Sequence, residues 1–290
     1  VNDDVLGMAG VPAEVLRRVV TTALAEDLAY GPDATTDATV PADAMATAAV
    51  TPRAAGVVSG IPAALAVFDE VLGDGYEVVR SGRDGSVPRA GEPVLVLRGP
   101  VRGLLTAERT ALNLLCHLSG IATATAAWVA AVEGTGAAIR DSRKTLPGLR
   151  LLQKYAVRCG GGVNHRMGLG DAVLIKDNHV VASGSVTEAL RLAREHAGDL
   201  PCEVEVDDLD QFAEALRAGA DEILLDNFSP ADCAKAVSLR DELSPGAKLE
   251  SSGGLRLENA RAYAESGVDY LAVGGLTHSS PALDLGMDLS

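Results

Sequence analysis

The segment RDSRKTLPGLR, residues 140–150, gathers Arg140, Arg143, Lys144 and Arg150 around one acid, Asp141. Shortly after it, GGGVNHRMG brings His165 and Arg166, and VLIKDNH brings Lys176. Residues 140–179 hold eight Lys or Arg against three acids, a net +5, while the rest of the chain sums to −20. The positive charge is local in an acidic protein. Planar guanidinium groups grip carboxylates with two parallel hydrogen bonds, so such a cluster suits a small ligand with more than one anionic group. Arg143, Lys144, Arg166 and Lys176 are the candidates, because they stand at the ends of strand-like runs or in glycine-flanked turns. Arg150, Lys154 and Arg158 recur at i, i+4, i+8 and fit an ordinary solvated helix face.

Two further groups could act on such a ligand. ESSGG and AVGG place Ser252, Gly253, Gly254, Gly274 and Gly275 after apolar runs. Glycines there let backbone N–H groups face an anion such as phosphate, although a plain tight turn would use them as well. EVEVDD and ILLDN put Glu205 and Asp226 at matching depth on successive strands. These carboxylates suit Mg²⁺, sugar hydroxyls or a developing cation; equally, they could be caps or partners of the basic cluster.

The elements that must position these groups change character along the chain. Residues 12–27 read as an amphipathic helix with Pro12 at its start. A polar loop follows, then extended segments with Gly, Asp and Pro turns and one helix, IPAALAVFDEVLG. This first part is predicted to be an α+β sandwich domain. A long helical pattern spans 105–132, with a bend expected at Ser119-Gly120. After it, a strand-then-helix unit recurs: GAAIRDSRKT, DAVLIKDNHV, CEVEVDDLDQF, DEILLDNFSP, AKLESSGGL and DYLAVGGLTH. Six such strands in series imply a parallel sheet with crossover helices. No strand leads into GxGxxG, so an open dinucleotide-binding sheet lacks its signature. Polar residues end nearly every strand, which favours an α/β barrel whose strand ends share one mouth.

The 290 residues are enough for one large or two medium domains. A sequence pI near 4.7 argues against nucleic acid or an anionic membrane as the main partner. Cys116, Cys159, Cys202 and Cys233 form no CxxC, and four buried thiols are expected rather than disulfides or zinc. VNDDVLGMAG has no secretory pattern and no apolar run approaches 18 residues, so a cytoplasmic protein without membrane spans is expected.

ERTALNLLCHLSGIAT, DSRKTLPGLRLLQKYAVRCGGGVNHRMGL, VLIKDNH, EVEVDD, ILLDN, ESSGG and AVGGLTHS occur in an order that resembles the quinolinate phosphoribosyltransferase family, as does EDLAYGPDATTDATVP near the amino terminus. The resemblance covers nearly the whole chain. It implies an incomplete α/β barrel with an N-terminal α+β sandwich domain. The sandwich would span 1–118, completed by 277–290, and the barrel 119–276. It also implies transfer of a phosphoribosyl group from 5-phosphoribosyl 1-pyrophosphate to quinolinate with decarboxylation, with Mg²⁺ as cofactor. Carried over by motif, Arg143, His165, Arg166 and Lys176 would hold the quinolinate carboxylates. Lys144 would meet the phosphoribosyl donor. Glu205 and Asp226 would bind ribose hydroxyls or the metal. Ser252, Gly253, Gly254, Gly274 and Gly275 would cradle the 5-phosphate near His278. Arg109 would enter the neighbouring subunit's site in a homodimer, which could assemble further into a hexamer; read alone, Arg109 is a solvated helix arginine.

Three other readings remain on the residues themselves. A paralogue acting on another anionic heterocycle would be expected to change the carboxylate grip. A barrel aldolase would use Lys176 as a Schiff base. A non-catalytic phosphate-binding protein would have little use for Glu205 and Asp226.

Overall fold

The computed structural model describes residues 8–290; the expectation built on VNDDVLGMAG falls mostly outside that range. In chain order the first elements are α1 (Ala13–Asp27), α2 (Ala34–Thr39), β1 (Met45–Pro52), α3 (Ile61–Leu72), β2 (Glu77–Ser81), β3 (Leu95–Pro100), α4 (Val101–Ala131), β4 (Ala138–Arg140) and α5 (Arg150–Cys159). Then follow β5 (Val173–Ile175), α6 (Asp177–Ser183), α7 (Val186–Ala197), β6 (Cys202–Val206), α8 (Leu209–Arg217), β7 (Glu222–Asp226) and α9 (Pro230–Leu243). The chain ends with β8 (Lys248–Ser252), α10 (Leu257–Ala264), β9 (Tyr270–Ala272), α11 (Gly275–His278) and β10 (Leu285–Leu289).

Two compact units result. One takes the residues up to Ala126, Thr145–Gly161 and Leu276–Ser290; the other takes Ala127–Lys144 and Gly162–Gly275. A boundary at 118/119 falls inside the continuous helix α4, and α5 goes with the first unit although its sequence lies between two strands of the second.

The first unit contains an antiparallel sheet in the order β10-β1-β3-β2, so the carboxy-terminal strand pairs with β1. Helix α1 buries Leu16, Val20 and Leu24, one face at i, i+4, i+8, and packs on α3. Helix α3 needs partners for its first N–H groups. Asp84 accepts from the N–H of Gly60 and of Ile61 at 2.9 and 3.0 Å, and Tyr155 of α5 donates to the same carboxylate at 2.8 Å. The loop expected at 30–43 contains α2, which starts because Asp33 caps it by accepting from Thr36 N–H.

Helix α4 corrects two expectations. It runs unbroken through Ser119-Gly120, where a Cβ on Gly120 would lie 2.2 Å from the Pro281 carbonyl oxygen. The glycine admits a passing segment; it does not bend the helix. The helix is also long and apolar enough to cross a bilayer by length and composition, contrary to the expected lack of such a run. Leu104, Leu112, Leu115, Leu118 and Ile121 are buried within the protein instead. A third correction concerns α5. Lys154, expected on a solvated face, is fully buried, while Arg150 and Arg158 are half-buried. The i, i+4, i+8 spacing identified a shared face but not which side it takes. The cysteines are all free, with Cys233 buried and the other three half-buried.

The second unit is the parallel sheet, in the order β4-β9-β8-β7-β6-β5. From β5 onward each strand pairs with the next, and the last, β9, pairs with β4. That cyclic order is a barrel's; a doubly wound sheet reverses direction part-way. The sheet does not close between β4 and β5. Val163 lies along the free edge of β4 in a parallel bridge to Arg140. Because every strand runs the same way, the residues after β4 to β9 gather at one end.

Candidate active site at the strand ends

The basic wall begins where β4 ends. Arg140, its last residue, points its guanidinium at Glu222 of β7 and Glu250 of β8, at 2.7 Å from the latter, and stacks 3.7 Å above the Tyr270 ring. Burial disfavours its charge, but the two carboxylates outweigh that and raise its pKa. Arg140 is therefore a structural cation. Three residues on, the chain has left the strand and carries Arg143. Arg166 comes from the GGGVNHR loop, with one guanidinium nitrogen donating to the Ala172 carbonyl at 3.2 Å. Burial and then the neighbouring Arg143 charge lower the Arg166 pKa. Among the described residues, the Nε atoms of both Arg143 and Arg166 are buried with no hydrogen-bond partner. Two like charges with unmet donors are costly unless an anion joins them.

His165 is held between protein groups. Its Nδ1 accepts the Arg166 backbone N–H at 2.8 Å, so the ring proton sits on Nε2, which lies 2.6 Å from Glu203 Oε2. Glu203 and Glu250 are almost fully buried. Both carboxyls are pushed well above the ordinary carboxylate range, by burial first and then by neighbouring carboxylates. Ligand atoms of His165, Glu203 and Glu250 lie within 4.8 Å of one another, close enough to surround a cation. The Arg140 guanidinium already holds Glu250, so the positive charge in this cluster is supplied by the protein.

A second group at the strand ends sets acids against two lysines. Lys176, after β5, forms an ion pair with Glu205 of β6. A Schiff-base lysine is activated by an apolar pocket or a neighbouring cation, whereas a carboxylate partner holds the ammonium charged. Asp226 ends β7, and its carboxyl is raised by burial and then by Asp207, while Lys176 and Lys144 act to lower it. The four groups thus share one electrostatic neighbourhood. Asn227 donates to Asp226 at 2.7 Å and adopts φ 56°. Its side-chain oxygen would lie 2.1 Å from a Cβ on Gly253, whose φ is +88°. Only glycine fits there, which keeps the turn after β8 against the end of β7. Asp226 is the register partner of Ser252. A Cβ on Gly274, after β9, would lie 3.1 Å from Lys144 Cδ, and the Lys144 backbone N–H donates to Ser142 Oγ at 3.1 Å.

The strand ends thus bring together Arg143, Lys144, Arg166, Lys176, Glu205, Asp226, Ser252, Gly253, Gly254, Gly274 and Gly275, all within the second unit. Arg109 and His278 belong to the first. Arg109 is exposed on α4, and His278 is exposed at the end of α11 beside Ser279. In that unit the buried Gln153 donates to the Thr277 carbonyl, contacts His117 and accepts from Leu146 N–H. Sequence reasoning did not single out Glu203, Glu222 or Glu250. A signal was present for one of them: Glu203 stands two residues before Glu205 on β6, and strand residues at i, i+2 share a face.

Comparison with known proteins gives a consistent result. Residues 33–119 match the model of the quinolinate phosphoribosyl transferase N-terminal domain, and 121–288 that of its C-terminal domain. The nicotinate-nucleotide pyrophosphorylase (carboxylating) of Mycobacterium leprae is 59% identical over 277 residues, 95% of this chain and 98% of the relative. The human protein of the same name is 38% identical over 252 residues, 83% of this chain and 82% of the relative. A solved structure of the nicotinate-nucleotide pyrophosphorylase of Francisella tularensis superposes with a TM-score of 0.92 at 38% identity, covering 98% and 99% of the two chains. Matches that run through both halves at this level leave one assignment, and the chain belongs to the quinolinate phosphoribosyl transferase family.

Proposed function

We propose that the protein transfers the phosphoribosyl group of 5-phosphoribosyl 1-pyrophosphate to the ring nitrogen of quinolinate and releases the adjacent carboxylate, as a step of de novo NAD synthesis. The products are nicotinate mononucleotide, pyrophosphate and CO₂. The observation that carries this is the Arg143–Arg166 pair: two adjacent, partly desolvated guanidinium groups with unmet Nε donors. A dicarboxylate supplies what they lack. Lys176 extends the grip, and His165 shapes it from behind.

The chemistry asks mainly for positioning and charge neutralisation. The C1–oxygen bond to pyrophosphate breaks with its electron pair leaving on oxygen, and the pyridine lone pair forms the new C1–N bond. Glu205 and Asp226 face the sugar and favour the positive charge that develops at C1. Lys144 meets the departing phosphates. The turns at Ser252–Gly254 and Gly274-Gly275 hold the 5-phosphate through backbone N–H groups. Once ribosylated, the ring nitrogen is cationic. Loss of the neighbouring carboxylate as CO₂ leaves an electron pair on C2 that this charge stabilises, and C2 then takes up a proton.

Magnesium fits the donor set. Glu205 and Asp226 offer hard oxygen ligands, and Asp226 lies beside Asp207 in an arrangement that raises its pKa, so a cation would relieve the repulsion. When bound, Mg²⁺ would neutralise charge on the departing pyrophosphate. We further propose a cytoplasmic homodimer, or a hexamer built from it, in which Arg109 of the partner subunit completes each site; its exposure on α4 supports this role.

The test uses purified protein, quinolinate, the phosphoribosyl donor and Mg²⁺. Pyrophosphate and CO₂ are expected in equal amounts, with release abolished by a chelator. Pyrophosphate without CO₂ would contradict the carboxylating reaction.

A further inference from the structure

Asp141 is the one acid within the basic stretch, and it is fully buried. Its Oδ2 accepts from the Asn164 side-chain amide at 2.6 Å and its Oδ1 from the His165 backbone N–H at 2.9 Å. Its own N–H donates to the Val163 carbonyl at 3.2 Å, and Val163 N–H returns to the Ile139 carbonyl at 2.8 Å. The end of β4 is thus laced to residues 163–165 by four hydrogen bonds, two of them to a carboxylate and therefore among the stronger kind. His165 carries the restraint one residue further, since its ring holds the Arg166 N–H on one side and Glu203 on the other.

These bonds lie between the two halves of the anion grip. Arg143 is two residues after Asp141, and Arg166 is one residue after the backbone N–H that Asp141 binds. The two guanidinium groups repel each other, so without a tether the loop that carries Arg166 is pushed away. The four tethering bonds oppose that push where no ligand is present to do so.

We propose that Asp141 is a positioning residue: it ties the loop bearing Arg166 to the strand end bearing Arg143, and so sets the gap that receives the two acceptor carboxylates. This rests on the quinolinate reading. A residue of the fold alone would change stability without favouring one substrate over the other. A positioning residue for the carboxylate grip changes the response to quinolinate more than the response to the phosphoribosyl donor, most of whose proposed contacts come from β6 to β9.

The experiment measures KM for each substrate and kcat in the full-length wild type, Asp141→Asn, Asn164→Ala and the reciprocal double variant D141N/N164D. D141N leaves residue 141 one side-chain oxygen, which cannot accept from both the Asn164 amide and the His165 N–H. The double variant remakes the pair in the opposite sense and leaves an oxygen on residue 141 for the His165 N–H. D141N is expected to raise the quinolinate KM by roughly tenfold or more, with the donor KM changed by less than about threefold. N164A, which leaves the buried carboxylate in place, is expected to show the same split at smaller size and covers the case in which D141N does not fold. D141N/N164D is expected to recover most of the quinolinate KM, because contacting residues are coupled. Equal changes in both KM values, an unchanged quinolinate KM in folded variants, or no recovery in the double variant would overturn the proposal. Wild-type turnover of quinolinate in the same assay sustains the reaction assignment by itself, so those results would count against the positioning role alone.

Discussion

At the scale of single residues, the site is held in a state that its own electrostatics oppose. Arg143 and Arg166 stand together with unmet Nε donors, and Arg166 has its pKa lowered by burial and by its neighbour. Removing one should therefore harm function far more than stability. R166A is expected to lose about 100-fold or more in kcat/KM for quinolinate, the scale of a truncated charged hydrogen-bonded pair. Its unfolding midpoint, followed by circular dichroism, should stay level or rise; a fall of many degrees would show that Arg166 is a structural group. A second prediction concerns pH. Glu203 and Glu250 have folded-state pKa values raised by burial first and then by a neighbouring carboxylate, Glu222 for Glu203 and Glu203 for Glu250. The folded protein thus binds protons there more tightly than the unfolded chain. The stability this brings is fully present below the ordinary carboxylate range and is lost as pH rises through the raised values. The unfolding midpoint should fall as pH climbs above that range, and E250Q should flatten the decline. An unaltered slope in E250Q would contradict the role given to this pair. The candidates Arg143, Lys144, Arg166, Lys176, Glu205 and Asp226 were legible because charge at the end of an apolar run is unusual. Glu203 and Glu250 were not, because a carboxylate inside a strand shows its burial only when the partner strand that carries its cation is known.

At the scale of elements, short strands of Val, Ile, Leu and Ala bring distant motifs to one edge. The six strands and their helices were readable from the repeated change of pattern, and the cyclic pairing order then separates a barrel from an open sheet. Helix α4 was harder. Ser119-Gly120 reads locally as a break, yet the reason for Gly120 is the Pro281 carbonyl, more than 150 residues away in sequence. That contact makes a prediction. Gly120→Ala should destabilise the protein by about 1–3 kcal/mol through overpacking, measurable as a shift in denaturant midpoint. A neutral or stabilising result, the usual gain for alanine in a helix, would show that the approach is not tight. The burial of Lys154 was hidden for a similar reason: spacing defines a helix face, but long-range packing decides whether water or protein meets it.

At the scale of the whole molecule, a chain of net charge −15 contains a segment of +5, and the remainder sums to −20. General acidity disfavours non-specific polyanions, while the barrel mouth keeps its attraction for small ones. The proposed dimer predicts complementation. R109A and K144A variants should each be inactive, and a mixture allowed to exchange subunits should regain activity in the mixed dimers, where one site has both residues. No recovery under demonstrated exchange would contradict the shared site. The central claim is that the pocket is built for two carboxylates and acts on quinolinate. It is tested most directly by measuring kcat/KM for quinolinate and for nicotinate, which lacks the second carboxylate, under the same conditions. We predict turnover of quinolinate and a kcat/KM for nicotinate lower by at least about a thousandfold, the scale on which polar sites reject a ligand missing a required group. Comparable or faster turnover of nicotinate would contradict the account.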